Sequence, residues 1–162
     1  MRPAGGRAIR CRAARRSAGQ RGAAAVELAL AFPVVLTLLG NIVDFGLVLR
    51  RHAQLAAGVA NAGLYASKAG AGVSADALRG VATASSGLSG ATATVSAAAC
   101  YCPAGTPRTL GAAMACTATC SDGAVASKYL TISGSYAYSP LFPAVSGPGL
   151  RVLSYVATVM VR

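Results

Sequence analysis

The side chains of this chain that could do chemistry are one carboxylate, four clustered thiols and a lone imidazole. Glu27 stands inside an apolar run, "RGAAAVELALAFPVVLTLLG" (21–40). A charge at the edge of hydrocarbon is costly and survives where a partner can neutralise it. Cys100, Cys102, Cys116 and Cys120 fall within 21 residues, an even and compact set that reads as a disulfide framework in an oxidising compartment. Four cysteines allow three pairings. A Cys100–Cys102 bridge would need a strained minimal loop, which leaves 100–116 with 102–120, or 100–120 with 102–116. A four-thiolate zinc site is the competing chemistry. The C-x-C and C-x3-C spacings depart from paired C-x2-C knuckles and no histidine is near, so no metal is expected. His52, between Arg51 and Ala53, reads as a solvated side chain. Asp44, Asp76 and Asp122 are dispersed, and the serines have no His/Asp partnership. No phosphate-cradling loop is present either. The pattern points away from an enzyme and calls for no cofactor.

Two features of composition say where Glu27 must sit. Hydrophobic residues make up 54% of the 162 and charged ones 12%, yet only 6% are aromatic and there is no Trp. A folded portion therefore has a light core and needs staples. The net charge of +11 is concentrated at one end, with seven arginines and no acid in the first 22 residues. Such a tail is either a nucleic-acid arm or the basic flank of a membrane segment. An apolar run follows at once, which favours the flank and excludes nucleic acid as a partner.

From Ala23 to Val43 the only strongly polar residues are Glu27 and Asn41. About 20 helical residues cross the ~30 Å hydrocarbon core of a bilayer. Pro33 removes the N–H that would bond the Ala29 carbonyl and invites a bend. Asp44 is expected near the outer headgroups, and Arg50 and Arg51 close the run. Five arginines (10, 12, 15, 16 and 21) flank the first end against two at the other, which keeps the N-terminus cytoplasmic. A cleaved secretory signal has a shorter apolar region, so an anchored single span is expected.

The leader and the run together carry a resemblance. A basic leader ends in Gly22, Ala23 follows, and Glu27 is fifth after the glycine. An early proline, then Asp44-Phe45-Gly46, then a small-residue helix ending in Tyr65-Ala66 complete the pattern. This constellation resembles the TadE-like (TadE/TadG family) pseudopilins of the tight-adherence, or Flp, pilus system, over residues 21 to 66. The resemblance implies cleavage between Gly22 and Ala23 by a prepilin peptidase on the cytoplasmic side. It also implies that Glu27 docks the freed amine of a neighbouring subunit. Other pilin-like subunits, pilus assembly platform proteins and the lipid bilayer would be the partners. The bacterial cytoplasmic (inner) membrane would be the location, with the C-terminal domain periplasmic or extracellular, or carried in the pilus. Cys11 would leave with the leader, making the remaining cysteine count even. The function implied is that of a minor pilin in pilus assembly and adhesion. The alternative is an unprocessed single-pass envelope protein with an exported ligand-binding or scaffolding domain.

The positioning elements follow from periodicity. The helix should continue past Arg51, with Leu55, Val59, Ala62 and Ala66 on one face and Ala56, Ala60 and Gly63 as an adjoining small-residue strip for close approach. Ser74 should cap a short helix over 75–84, and 85–90 should turn. Alternation over 91–99, 128–138 and 150–161 predicts about three antiparallel strands. On the second, Leu130, Ile132, Tyr136 and Tyr138 share a face; on the third, Leu153, Tyr155, Val159 and Val161 do. Residues 139–149 are a proline-rich connection. The expected organisation is a leader at 1–22, a transmembrane helix at 23–49, a helical stem at 50–70 and an exported, disulfide-stapled α+β domain at 71–162. The fold class is α+β, pilin-like.

Overall fold

The structure, a computed structural model, describes residues 16–70, 72–105, 109–142 and 151–162. Cys11, most of the basic leader and most of the proline-rich connection lie outside the described residues. Helix α1 runs without interruption from Arg16 to Ala69, through Pro33. Polar side chains on this apolar helix bond back to its own carbonyls. Thr37 Oγ1 donates to Val34 O at 2.8 Å and Asn41 Nδ2 donates to Thr37 O at 2.9 Å, so neither polar group is left to face hydrocarbon unbonded. Gly70, at φ 78°, stops the helix in the left-handed conformation that suits glycine, and its amide donates to Ala66 O at 3.0 Å.

Helix α2 (Ala75–Ser86) starts where expected: Ser74 Oγ accepts from the Ala77 amide, and Asp76 lies in the first turn. It ends at Gly87, again left-handed. Strands follow as β1 (Thr92–Val95), β2 (Ala99–Tyr101), β3 (Pro103–Ala104), β4 (Thr109–Leu110), β5 (Ser127–Ala137) and β6 (Val152–Met160). The long β5 is central. It pairs antiparallel with β6 on one side, and with β1 and β2 in tandem on the other. The single strand expected over 91–99 is therefore two. Val95 faces Ile132 and Ala99 faces Tyr129, so one chain has an extra residue there. Ser96 fills the break: its amide donates to Thr131 O and its Oγ accepts from the Thr131 amide, both at 2.9 Å. A hydroxyl thus replaces a missing ladder carbonyl at a bulge. Strands β3 and β4 form a separate hairpin.

Helices and sheet meet as two layers. Leu55, Val59, Ala62 and Ala66 are all buried, as their spacing requires. Val59, Ala62 and Ala66 pack with Leu78, Ala82, Leu130, Ile132 and Val161 in one cluster, and Leu55 with Val48, Leu88, Tyr138 and Leu153 in a second. Each such aliphatic side chain contributes about 1.5–3 kcal/mol when fully buried. The close approach falls partly elsewhere than expected. Ala60 is exposed, while Gly58 lets α2 in, since a Cβ there would lie 2.5 Å from the Ala82 carbonyl oxygen. Gly134 does the same for β5, where a Cβ would lie 2.7 Å from Val59 Cγ2. Gly63, from the expected strip, does meet β6 at Val159. The packed face also starts earlier along the helix. Gly40, Asp44 and Val48, four residues apart, are buried about two to four turns before Leu55.

Helix α1 runs alongside β6 in the same direction. Leu153 packs near Val48, His52 near Tyr155, Val159 near Gly63, and the Arg162 carbonyl near Gly70. Strand β5 therefore runs back, with Tyr138 at the end nearest the apolar half of α1 and Ser127 at the far end. The fold is α+β, as expected, with four strands in the main sheet among the described residues.

Candidate docking surface on the N-terminal helix

Residues from Gly22 to Leu39 are exposed on every side of α1. Leu28, Leu30, Phe32, Val34, Leu38 and Leu39 are each more than half exposed. The most apolar window of the helix has a mean hydropathy of 2.1 and none of it is buried. These 18 residues rise about 27 Å at 1.5 Å each, close to the ~30 Å of bilayer hydrocarbon. The helix is long and apolar enough to cross a membrane once.

Within that surface the junction and the acid lie one turn apart. Gly22 and Ala23 are exposed and helical, and a Cβ on Gly22 would meet nothing within 4 Å. Glu27 follows Ala23 by four residues, which puts both on one face of the helix. Among the described residues no hydrogen bond or ion pair reaches Glu27. A carboxylate at this depth needs a counter-charge or a route to the headgroups.

The cysteines sit at the other end of the molecule. They pair as Cys100–Cys116 and Cys102–Cys120, one of the two connectivities left open by spacing. Strand β2, which carries Cys100, joins the sheet at the Ser127 end of β5, away from the apolar helix. Glu27 and the disulfides are therefore separate features. The four thiols expected to act together do so, and none lies near the helix surface.

Two side chains have roles that differ from those expected. Asp44, placed by sequence at the outer headgroups, is 3% exposed. Its carboxylate accepts from the amides of Leu141 and Phe142, both at 2.9 Å, and from the Tyr138 hydroxyl at 3.3 Å. Burial first, and then the Asp44 charge, holds the Tyr138 phenol above its ordinary value of 10.0, so it remains a donor throughout the neutral range. The signal for this was available: Asp44 shares its face with Gly40, Val48 and Leu55. His52, expected in solvent, is half-buried with its ring edge-on to Tyr155 at 6.0 Å. Asp122 does cap a turn as expected, accepting from the Ala124 amide, with Gly123 at φ 82°.

No curated protein and no solved structure matches the chain. The family model described as TadE-like protein matches residues 22–63. That stretch begins at Gly22 and takes in Glu27, the exposed apolar surface and about two thirds of the packed stem. Over residues 22–63 this chain is similar to the TadE-like family, which its acid and apolar run also resemble.

Proposed function

We propose that this chain is a minor pilin or pseudopilin that acts in assembly of a tight-adherence pilus, and so in surface adhesion. A prepilin peptidase removes residues 1–22 at the cytoplasmic face. The mature chain stays in the bacterial cytoplasmic membrane by its helix, with the folded domain on the far side. Assembly platform proteins and other pilin-like subunits are its partners. The observation that carries this reading is the apolar surface from Gly22 to Leu39, exposed all round with a single acid, Glu27, one turn after the junction. Removing the leader would free an amine at Ala23, the charge that a neighbour's Glu27 needs.

One observation favours the alternative of an unprocessed envelope protein. The Gly22–Ala23 bond lies inside α1, so a peptidase must first unwind the helix there. Glycine weakens a helix interior by about 1 kcal/mol relative to alanine, which eases that step. N-terminal sequencing of the membrane-purified protein separates the two readings: a start at Ala23 is expected, and an intact leader overturns processing.

The docking role has its own test. Glu27→Gln keeps size and polarity and removes the charge, so insertion and leader removal persist. Crosslinking to other pilin-like subunits should fall about tenfold, equivalent to about 1.4 kcal/mol of lost pairing. Equal crosslink yields at equal membrane abundance would end the docking role.

A further inference from the structure

We infer that the turn at Leu141–Phe142 is a second membrane contact, seated in the outer lipid interface beside α1. This rests on the reading of α1 as a membrane span. The depth comes from the helix itself. Arg21 and Arg50, the charges flanking the apolar half apart from Glu27 and the domain-buried Asp44, are 29 residues apart in one helix. At 1.5 Å per residue that is about 43 Å, room for ~30 Å of hydrocarbon counted from Arg21 and an outer headgroup zone beyond it. Counting ~30 Å of hydrocarbon from Arg21 places its outer edge near residue 41, or a residue later with a usual tilt of ~20°.

The folded domain reaches down to this level. A Cβ on Gly40 would lie 3.3 Å from the Phe142 ring, so the ring stands level with the hydrocarbon edge. Asp44 fixes it there by accepting from the Leu141 and Phe142 amides. The apolar side chains at this tip still face outward: Leu141 is 63% exposed and Phe142 46%. Ile42, Val43 and Phe45, on the helix faces that the domain leaves open, are each at least half exposed. They continue the apolar surface of α1 without a break. No charged residue occurs between Ser139 and Phe142. An apolar tip at this depth, joined to an apolar span and with no charged residue of its own, suits the acyl boundary that interfacial segments enter by ~5–10 Å. The contact gives the domain two points of attachment and so a fixed orientation on the membrane.

The chain contains no Trp, so one introduced indole is a clean probe. The full-length protein is reconstituted into phosphatidylcholine–phosphatidylglycerol vesicles with bromines placed near the headgroup end or the terminus of the acyl chains. Phe32→Trp marks the mid-span. Val125→Trp, exposed at the far end of the domain, marks water. Phe142→Trp should lose about half its emission or more to bromines near the headgroup, and less to terminal ones, as expected of an interfacial depth. Leu141→Trp, which does not lean on Gly40, serves if the larger ring displaces the turn. If neither tip probe is quenched while Phe32→Trp is, the inference is overturned and the span stands. A blue-shifted but unquenched tip probe assigns the turn to a protein neighbour and also overturns it. If Phe32→Trp is unquenched, the membrane reading fails and the inference with it.

Discussion

Replacing Asp44 with alanine should destabilise the folded domain by about 3–5 kcal/mol, because it takes a buried acceptor from several neutral donors at once. Among the described residues, the Leu141 and Phe142 amides and the Tyr138 hydroxyl donate to this carboxylate. Each donor left buried without an acceptor costs about 1–3 kcal/mol, less wherever water can enter. Because small domains are stable by only about 5–15 kcal/mol, a loss of this size is a large fraction of the whole. Asp44→Asn is the informative companion. It keeps the shape but turns one acceptor oxygen into a donor, facing one of the two backbone amides. Its cost should fall between those of wild type and alanine. Denaturant unfolding in detergent, followed by near-ultraviolet tyrosine dichroism, reads both. Tyr138 adds a pH arm. Its raised pKa means that its contribution is complete below the ordinary value of 10.0 and is lost as pH rises through the folded value. The wild type should therefore weaken in strong alkali more than Asp44→Ala, in which the phenol has lost its charged neighbour. Equal stability of Asp44→Ala and wild type at neutral pH would show that the turn is not held by this carboxylate.

The same residue shows where the sequence was legible and where it was not. Buried faces of single elements followed from periodicity. Leu55, Val59, Ala62 and Ala66 emerged at helical spacing, and Leu130, Ile132 and Tyr138 at strand spacing, because burial repeats with the backbone. Helix α2 followed from Ser74, whose hydroxyl has one local job. Asp44 was harder to read. An acid after an apolar run looks like a headgroup residue until a segment 94 or more positions later supplies donors to it. Nothing local encodes that pairing. Gly58 and Gly134 were missed for a related reason, since a close approach is a property of two elements and each glycine belongs to one. Ser96 resembles any strand hydroxyl, and only the register of β5 shows that it replaces a backbone carbonyl. For the disulfides, spacing limited the options and the partner sheet decided between them. Strand β2 pins Cys100 against Lys128, which fixes the side of the sheet from which Cys116 must approach. Glu27 lies outside this logic. The docking role proposed for it puts its partner on another molecule.

Cys116→Ala should open the end of the domain farthest from the apolar helix while leaving the helix–sheet core intact. The region between β2 and β5 is poor in core. Of residues 102–125 that the structure describes, none is buried, and they are ordered by short pairings of β3 with β4, of Met114 with Cys100 and of Thr119 with Val125, and by tight turns. Little apolar area holds these turns, so the bridges must. The two pairs close loops of 16 and 18 residues, and the chain-entropy account assigns about 3 kcal/mol to a loop of that length. On entropy alone the two bridges are worth nearly the same. Burial separates them. Cys100 lies in β2 at 2% exposure, whereas Cys102 is half-buried beside it. Losing Cys116 leaves a buried thiol and frees Met114, whose amide bonds the Cys100 carbonyl at 2.9 Å. Cys120→Ala frees only the outer turn. Protease nicking within 103–126 should therefore rise in both variants, and more in Cys116→Ala. A stability loss of about 2–5 kcal/mol is expected there. The clusters around Val59, Ile132 and Leu153 contain no residue of this segment, so the fragment carrying α1, β5 and β6 should stay folded and resist digestion. Digestion of the whole domain at the same rate would show instead that the bridges hold the core and not the turns. Four alkylatable thiols in the native protein would remove the bridges from the account altogether.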